Sequence, residues 1–238
     1  MGGPVERTRA AVLANLEAIR ERIGAACSRA DRDPSTVRLV AAGKTVPATV
    51  LSWVLEAGVE DFGENYVQEL RRKRSELGGG TWHFIGTLQS HTAHLVAELA
   101  DVVETAVPGR AMSRLSRRAA ERRRRLPTLV EVDLTGERTG VPPEAVRDAA
   151  DAVAAADGLE LRGLMTMPPL PGTPEDSRPY FRRLRELSTE VAAVHPGAVE
   201  LSMGMSLDYE VAIEEGATMV RIGTALFGAR PPAAMGRM

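Results

Sequence analysis

The chain has 238 residues, 44% hydrophobic and 26% charged, with a formal net charge of −2. That length allows one large domain whose core needs no disulfide or metal, and the small net charge excludes a global basic field for nucleic acid or anionic membrane. The single cysteine, Cys27, excludes an internal disulfide, no apolar stretch approaches a membrane span, and no paired His/Cys spacing suggests a metal site. With no leader recognised at the start of the chain, the expected setting is the cytoplasm.

Residues 4–30 carry apolar side chains at helical spacing (Val12, Leu16, Ile19, Ile23), and the pattern breaks at Asp31-Arg32-Asp33-Pro34. Eight short strand-like runs follow, near 38–42, 61–62, 83–85, 102–104, 128–133, 160–166, 199–202 and 219–222. Helical stretches alternate with them at 48–57, 64–77, 91–99, 110–125, 143–156, 174–195 and 207–215. Pro142-Pro143-Glu144 and Thr173-Pro174-Glu175-Asp176 read as helix starts. Strand–helix alternation implies a parallel sheet. Eight units in this length match an α/β single-domain (β/α)8 TIM-type barrel with an extra N-terminal helix. The divisions are residues 1–30 for the helix, 37–229 for the barrel and 230–238 for a tail. An open doubly wound sheet is the alternative. Where its dinucleotide loop would stand, this chain has Gly43-Lys44-Thr45-Val46-Pro47 instead.

Of the 30 Lys and Arg residues, only Lys44 and Lys73 are lysine. An amine can lose its proton and attack a carbonyl, whereas a guanidinium effectively cannot. Lys73, within Arg71-Arg72-Lys73-Arg74, is expected on a solvated helix face. Lys44 ends an apolar run and is expected at the barrel mouth as a Schiff-base residue.

Active sites of such barrels lie at the C-terminal ends of the strands, and phosphates bind in the loops after strands 7 and 8. Those loops hold Gly204, Ser206, Gly223 and Thr224, which supply hydroxyls and close backbone approach. Each alone would pass as a turn or cap residue; together, in the right strands, they suggest an anion site. Arg221 interrupts the apolar strand Met219-Val220-Arg221-Ile222 and reads as a site residue. His83 reads as a hydrogen-bonded barrel histidine rather than a catalyst. Asp208 and Glu210 read as helix-dipole partners, and Arg122 to Arg125 as a solvated face. An amine, a phosphate cup and an arginine in one mouth suggest pyridoxal 5′-phosphate (PLP), with a Schiff-base aldolase acting directly on a phosphorylated sugar as the competing reading.

Six strings carry a family resemblance. They are Ala42-Gly43-Lys44-Thr45, Phe62-Gly63-Glu64-Asn65-Tyr66-Val67-Gln68-Glu69, Trp82-His83-Phe84-Ile85-Gly86-Thr87-Leu88-Gln89, Arg162-Gly163-Leu164-Met165-Thr166-Met167-Pro168, Leu201-Ser202-Met203-Gly204-Met205-Ser206, and the segment from Val220 to Arg230. In this order, over nearly the whole chain, they resemble the pyridoxal phosphate homeostasis proteins, which look like the barrel half of alanine racemase standing alone. The resemblance implies that Lys44 is the aldimine lysine and that Asn65 lies in the cofactor pocket. It implies that Ser206, Gly223 and Thr224 hold the phosphate with Ser202 and Met203 nearby, and that Arg221 faces the pyridine nitrogen. The chain departs from the pattern at His91-Thr92, where the family usually has Asn-Lys, and at Asp133 and Arg138, where it commonly has Asn and a nearby Lys. These changes touch accessory lysines, including a second cofactor site, and leave Lys44 and the phosphate cup intact.

An arginine beside the pyridine nitrogen opposes its protonation and weakens the ring as an electron sink. Racemisation also needs an acid/base on the second face of the substrate. Alanine racemases bring a tyrosine for it from a second domain of the partner subunit, and none is expected after strand 8 here. Tyr66 and Tyr209, near mouth loops, are the remaining candidates. The expectation is therefore a monomeric, non-catalytic PLP-binding protein of PLP homeostasis. It would buffer the cofactor or deliver it to apo PLP-dependent enzymes, and would bind neither nucleic acid nor membrane. The alternative is a small PLP-dependent amino-acid racemase or another weak PLP enzyme.

Overall fold

Eight parallel strands pair in chain order and the last returns to the first, closing a barrel, in the computed structural model, which describes residues 7–229. The strands are β1 (Arg38–Ala42), β2 (Asp61–Glu64), β3 (Thr81–Phe84), β4 (Val102–Ala106), β5 (Leu126–Val132), β6 (Leu159–Thr166), β7 (Glu200–Ser202) and β8 (Met219–Ile222). Outside them lie α2 (Ala48–Glu56), α3 (Val67–Leu77), α4 (Ala93–Leu99), α5 (Arg110–Glu121), α6 (Val146–Ala154), α7 (Arg178–Ala192), α8 (Tyr209–Glu214) and α9 (Thr224–Phe227). The (β/α)8 architecture expected from the alternation is the one observed. The expected tail, 230–238, and the first residues of the expected N-terminal helix lie outside the described residues.

Successive side chains of a strand point to opposite faces of the sheet, and the core divides accordingly. Val40, Val102, Leu129, Met165 and Met219 form one small buried cluster inside the barrel. Their neighbours Ala41, Val103, Val130, Leu164 and Val220 belong to the larger core between strands and helices. The helix α1 (Arg9–Arg29) adds a further apolar stripe to that core through Val12, Leu16, Ile19 and Ile23. It begins where the Thr8 hydroxyl accepts the Ala11 N–H and stops before Asp31, whose φ is +52°. Arg22 and Arg29 on its flank pair with Glu210 and Glu214 of α8. Glu210 is thus an inter-helix anchor, not only a helix-dipole partner.

Two boundaries differ from the sequence expectation for physical reasons. The third helix starts at Val67 instead of residue 64, because β2 runs on through Glu64, which pairs with Phe84 of β3. α5 ends at Glu121, because Arg123 takes a left-handed φ of +54°. Arg122 to Arg125 are consequently not a continuous solvated helix face: the half-buried Arg124 donates to the carbonyls of Ala97 and Ala100 at the end of α4.

Leu16 is fully buried where α1 meets the barrel shell. Leu16→Ala should lower the unfolding free energy by about 2–5 kcal/mol, measured by urea denaturation. A loss close to zero would show that α1 is not integral to the folded domain.

Candidate functional site

Lys44 sits directly past the end of β1, half-buried at the C-terminal rim, and its following residue Thr45 has a φ of +65°. The chain's other lysine is not where its neighbours suggest. Lys73 is fully buried, and its ammonium donates to Glu64 Oε1 (2.6 Å), Glu69 Oε2 (2.7 Å) and the Gly43 carbonyl (2.7 Å). The expected solvated face is corrected: α3 turns Lys73 inward under the Lys44 loop, and three acceptors compensate its burial. Burial pushes the Glu64 carboxyl up, Lys73 pulls it partly back, and the result is a pKa of about 7.

The strand register brings the second half of the site to the first. Val40 lies opposite Arg221 and Ala41 opposite Ile222, so Gly223 and Thr224 fall beside the Lys44 end of β1. Lys44, Ala42, Val46, Gly223, Thr224 and Phe227 line one small pocket. Thr224 starts α9, whose Leu226 and Phe227 N–H groups already bond the Gly223 carbonyl, which leaves the Gly223 and Thr224 N–H groups without a partner among the described residues. The Ser206 hydroxyl, from the loop after β7, accepts the Ala225 N–H at 3.1 Å and ties the two loops together. Asp208 shapes that loop, accepting from the Met205 N–H (2.7 Å) and the Ser177 hydroxyl (2.7 Å), so its role exceeds a helix-dipole contact. Met203 is buried in the shell between strands and helices, so its side chain is not brought to Lys44.

A chain of polar groups crosses the barrel interior below the mouth. The buried Arg221 donates to the Ser202 hydroxyl (2.5 Å) and to the Thr166 carbonyl (2.9 Å). Ser202 donates to Glu104 (2.5 Å), Glu104 meets His83 Nδ1 (2.7 Å), and His83 Nε2 meets Asp61 (2.8 Å). His83 is therefore the hydrogen-bonded barrel histidine expected. Burial alone would lower its pKa, but a carboxylate on each ring nitrogen raises it to about 9, which makes it an imidazolium. Burial pushes Glu104 up, yet His83 and Arg221 hold its carboxyl below the usual range. Ser202, expected near a phosphate, is engaged here between Glu104 and Arg221.

On the β2–β3 side of Lys44 lies a groove of about 480 Å³ lined by Lys44, Asn65, Tyr66, Gln68, Gln89 and His91, among others. Asn65 reaches the Ile85 carbonyl at 3.4 Å. Tyr66 is 52% exposed, and its ring centroid is 5.1 Å from the Lys44 amine. Tyr209 is not at the mouth: it is buried against α1, with Arg22 over its ring at 5.2 Å. Asp133 accepts from Thr135, Gly136 and Arg138 main-chain N–H groups and folds its own loop.

The comparisons with known proteins agree with the barrel fold. Residues 14–231 match the family described as "Alanine racemase, N-terminal domain". A pyridoxal phosphate homeostasis protein of Aquifex aeolicus is 40% identical over 220 residues, spanning 90% of this chain and 96% of that protein. The chain belongs to the pyridoxal phosphate homeostasis protein family. The solved structure of a family member, PipY of Synechococcus elongatus with PLP bound, is 35% identical with a TM-score of 0.77, covering 88% of this chain and all of that one. Alanine racemase of Corynebacterium glutamicum, at 17% identity and a TM-score of 0.72, shares the fold over 97% of this chain and 64% of its own length.

Sequence reasoning missed Lys73, Glu69 and Glu104. The Glu69–Lys73 spacing of four residues was a signal, since such pairs share a helix face. Nothing local marks Glu104.

The His83 shift makes stability depend on pH. A His whose folded pKa is raised from 6.5 to about 9 contributes stability that is fully present below pH 6.5 and lost as pH rises through 9, roughly 3 kcal/mol in all. Urea unfolding across this window should show that loss in the wild type and a shallower slope in His83→Gln. Equal slopes would mean that His83 is neutral in the fold.

Proposed function

We propose that this chain binds PLP at the barrel mouth through Lys44 and buffers or delivers it, as a cytoplasmic monomer with no catalytic step of its own. The observation that carries this reading is the placement of the half-buried Lys44 amine beside the α9 start, where Gly223, Thr224 and Ser206 present main-chain and hydroxyl donors. The donor set fits the cofactor: PLP supplies an aldehyde that condenses reversibly with a primary amine, and a phosphate that takes such donors. Lys44 would hold the aldehyde carbon, and Ser206, Gly223 and Thr224 the phosphate. Asn65 would border the ring, and Ser202 would act from below by holding Arg221, while the Met203 side chain stays in the outer shell. Arg221 would face the ring nitrogen, its guanidinium held by Ser202 and Thr166. A cation there opposes protonation of the ring, which suits storage better than carbanion chemistry. The names of the relatives and the PLP bound to PipY support the same reading.

A racemase-like reading has one observation in its favour, the exposed Tyr66 ring over the Lys44 amine. It predicts alanine racemisation at an ordinary enzyme rate, roughly 1–10³ per second, lost in Tyr66→Phe. The carrier reading predicts a rate far below that range.

Borohydride reduction of the PLP-loaded protein, followed by peptide mapping, should place the pyridoxyl group on Lys44, and Lys44→Ala should abolish it. A label on Lys73 would contradict the assignment, since that amine is buried and fully bonded.

The phosphate should supply much of the affinity. Charge-assisted hydrogen bonds are worth about 1.5–3 kcal/mol each. Ser206→Ala and Thr224→Ala should therefore each weaken PLP binding by about tenfold or more while leaving pyridoxal binding nearly unchanged. Equal affinity of the wild type for PLP and pyridoxal would rule the phosphate cup out.

A further inference from the structure

The chain uses arginine for nearly every positive charge, yet retains a lysine at position 73 as well as 44. The geometry around Lys73 shows what a lysine does there that arginine cannot. Its ammonium is fully buried, and three oxygens converge on it at 2.6–2.7 Å: Glu64 Oε1, Glu69 Oε2 and the Gly43 carbonyl. An ammonium has three N–H donors around one small atom, so this set saturates it; a planar guanidinium fork does not match converging acceptors at that spacing.

Two of those contacts lead to the main chain on either side of Lys44. The Gly43 carbonyl belongs to the peptide before Lys44 and accepts directly from Lys73. The Thr45 N–H belongs to the peptide after it and donates to Glu69 Oε2 at 3.1 Å, the oxygen that also accepts from Lys73. The third contact closes the remaining side. A Cβ on Gly43 would stand 2.6 Å from Glu64 Oε1, so the carboxylate oxygen occupies the space that any side chain at Gly43 would need. The loop it grips is strained: Thr45 is β-branched and has a φ of +65°, a region such residues rarely enter. A loop held in that shape needs external anchors.

We propose that Lys73 is a positioning residue for Lys44: through Gly43 and Glu69 it clamps both peptide groups flanking Lys44 and so sets where the reactive amine stands relative to the phosphate cup. The inference rests on Lys44 being the residue that takes PLP covalently. The two lysines then form one device, the buried charge locating the half-buried nucleophile.

The test uses the full chain and three variants, Lys73→Met, Glu69→Ala and Glu69→Gln. Affinity for pyridoxine 5′-phosphate, which has the ring and phosphate but no aldehyde, reads the cup alone. Covalent loading by PLP, trapped with borohydride and mapped to Lys44, reads the position of the amine. Amide hydrogen exchange at Thr45 reads the clamp with no cofactor present. Lys73→Met and Glu69→Ala should lower the equilibrium for covalent loading by about tenfold or more, the scale of a misplaced reacting group, with faster exchange at Thr45. Pyridoxine 5′-phosphate affinity should stay within about twofold, as for an independent site. Glu69→Gln, which still accepts from Thr45, should restore loading. If Lys73→Met fails to fold, Glu69→Ala and its Gln rescue decide the matter. Undiminished loading in Glu69→Ala overturns the proposal, and so does an equal loss of pyridoxine 5′-phosphate affinity, which would mark general damage to the barrel. Failure of the wild type itself to load Lys44 would sink the PLP assignment instead, and unchanged Thr45 exchange in Glu69→Ala would separately refute the clamp.

Discussion

Strand β8 pairs in parallel with β1, Val40 opposite Arg221 and Ala41 opposite Ile222, and this closure sets the geometry of the whole mouth. Lys44 and Thr224 are 180 residues apart in the chain, yet each lies directly past the end of one of two adjacent strands. An open sheet would leave them on opposite edges. Because only closure makes them neighbours, the site exists only in the complete barrel. The α1 helix and the residue just before its cap support this seam from outside, since Asn15 of α1 donates to the Leu226 carbonyl and Arg7 to the Phe227 carbonyl of α9.

Beneath the mouth the interior changes character with depth. The small apolar cluster around Val40, Leu129 and Met165 fills one layer. Charges occupy the rest: the half-buried Asp61 and the buried His83, Glu104 and Arg221 alternate in sign along one hydrogen-bonded line. Burying an arginine is costly unless acceptors and a counter-charge surround it. Glu104, through Ser202, and the Thr166 carbonyl provide them. A hydrophobic interior of the same volume would serve stability as well or better. What the charged line provides is a guanidinium fixed in place below Lys44, with its charge largely compensated from below.

The fold was legible because its signals are local. Strands such as β4 and β5 are short runs with β-branched residues, helices such as α5 and α7 are amphipathic stretches, and the alternation leaves few topologies. Lys44 stood out because it ends the first apolar run, and Gly223 and Thr224 because they follow the last. What could not be read depends on which way a side chain turns across a long-range contact. Lys73 sits among arginines, and only the packing of α3 on β2 and β3 shows that it alone of them is fully buried. Met203 and Ser202 are sequence neighbours, but strand alternation sends one into the outer shell and the other into the barrel. Tyr209 follows a mouth loop, yet α8 faces it toward α1. For Met203, Ser202 and Tyr209 the chain position pointed to the site, for Lys73 it pointed to solvent, and in each case the tertiary contact decided the role.

The central claim is that this mouth holds PLP in a form that can be given up. A lysine attached through a reversible condensation, under loops of this barrel, should pass its cargo to a protein that binds it more tightly. The direct measurement mixes the PLP-loaded chain with an apo PLP-dependent enzyme and follows recovery of that enzyme's activity alongside loss of the bound-cofactor absorbance. The account predicts recovery matched to cofactor leaving Lys44, with the chain itself unchanged. Loaded protein that reactivates no apoenzyme over hours, while turning over an amino acid of its own, would contradict it.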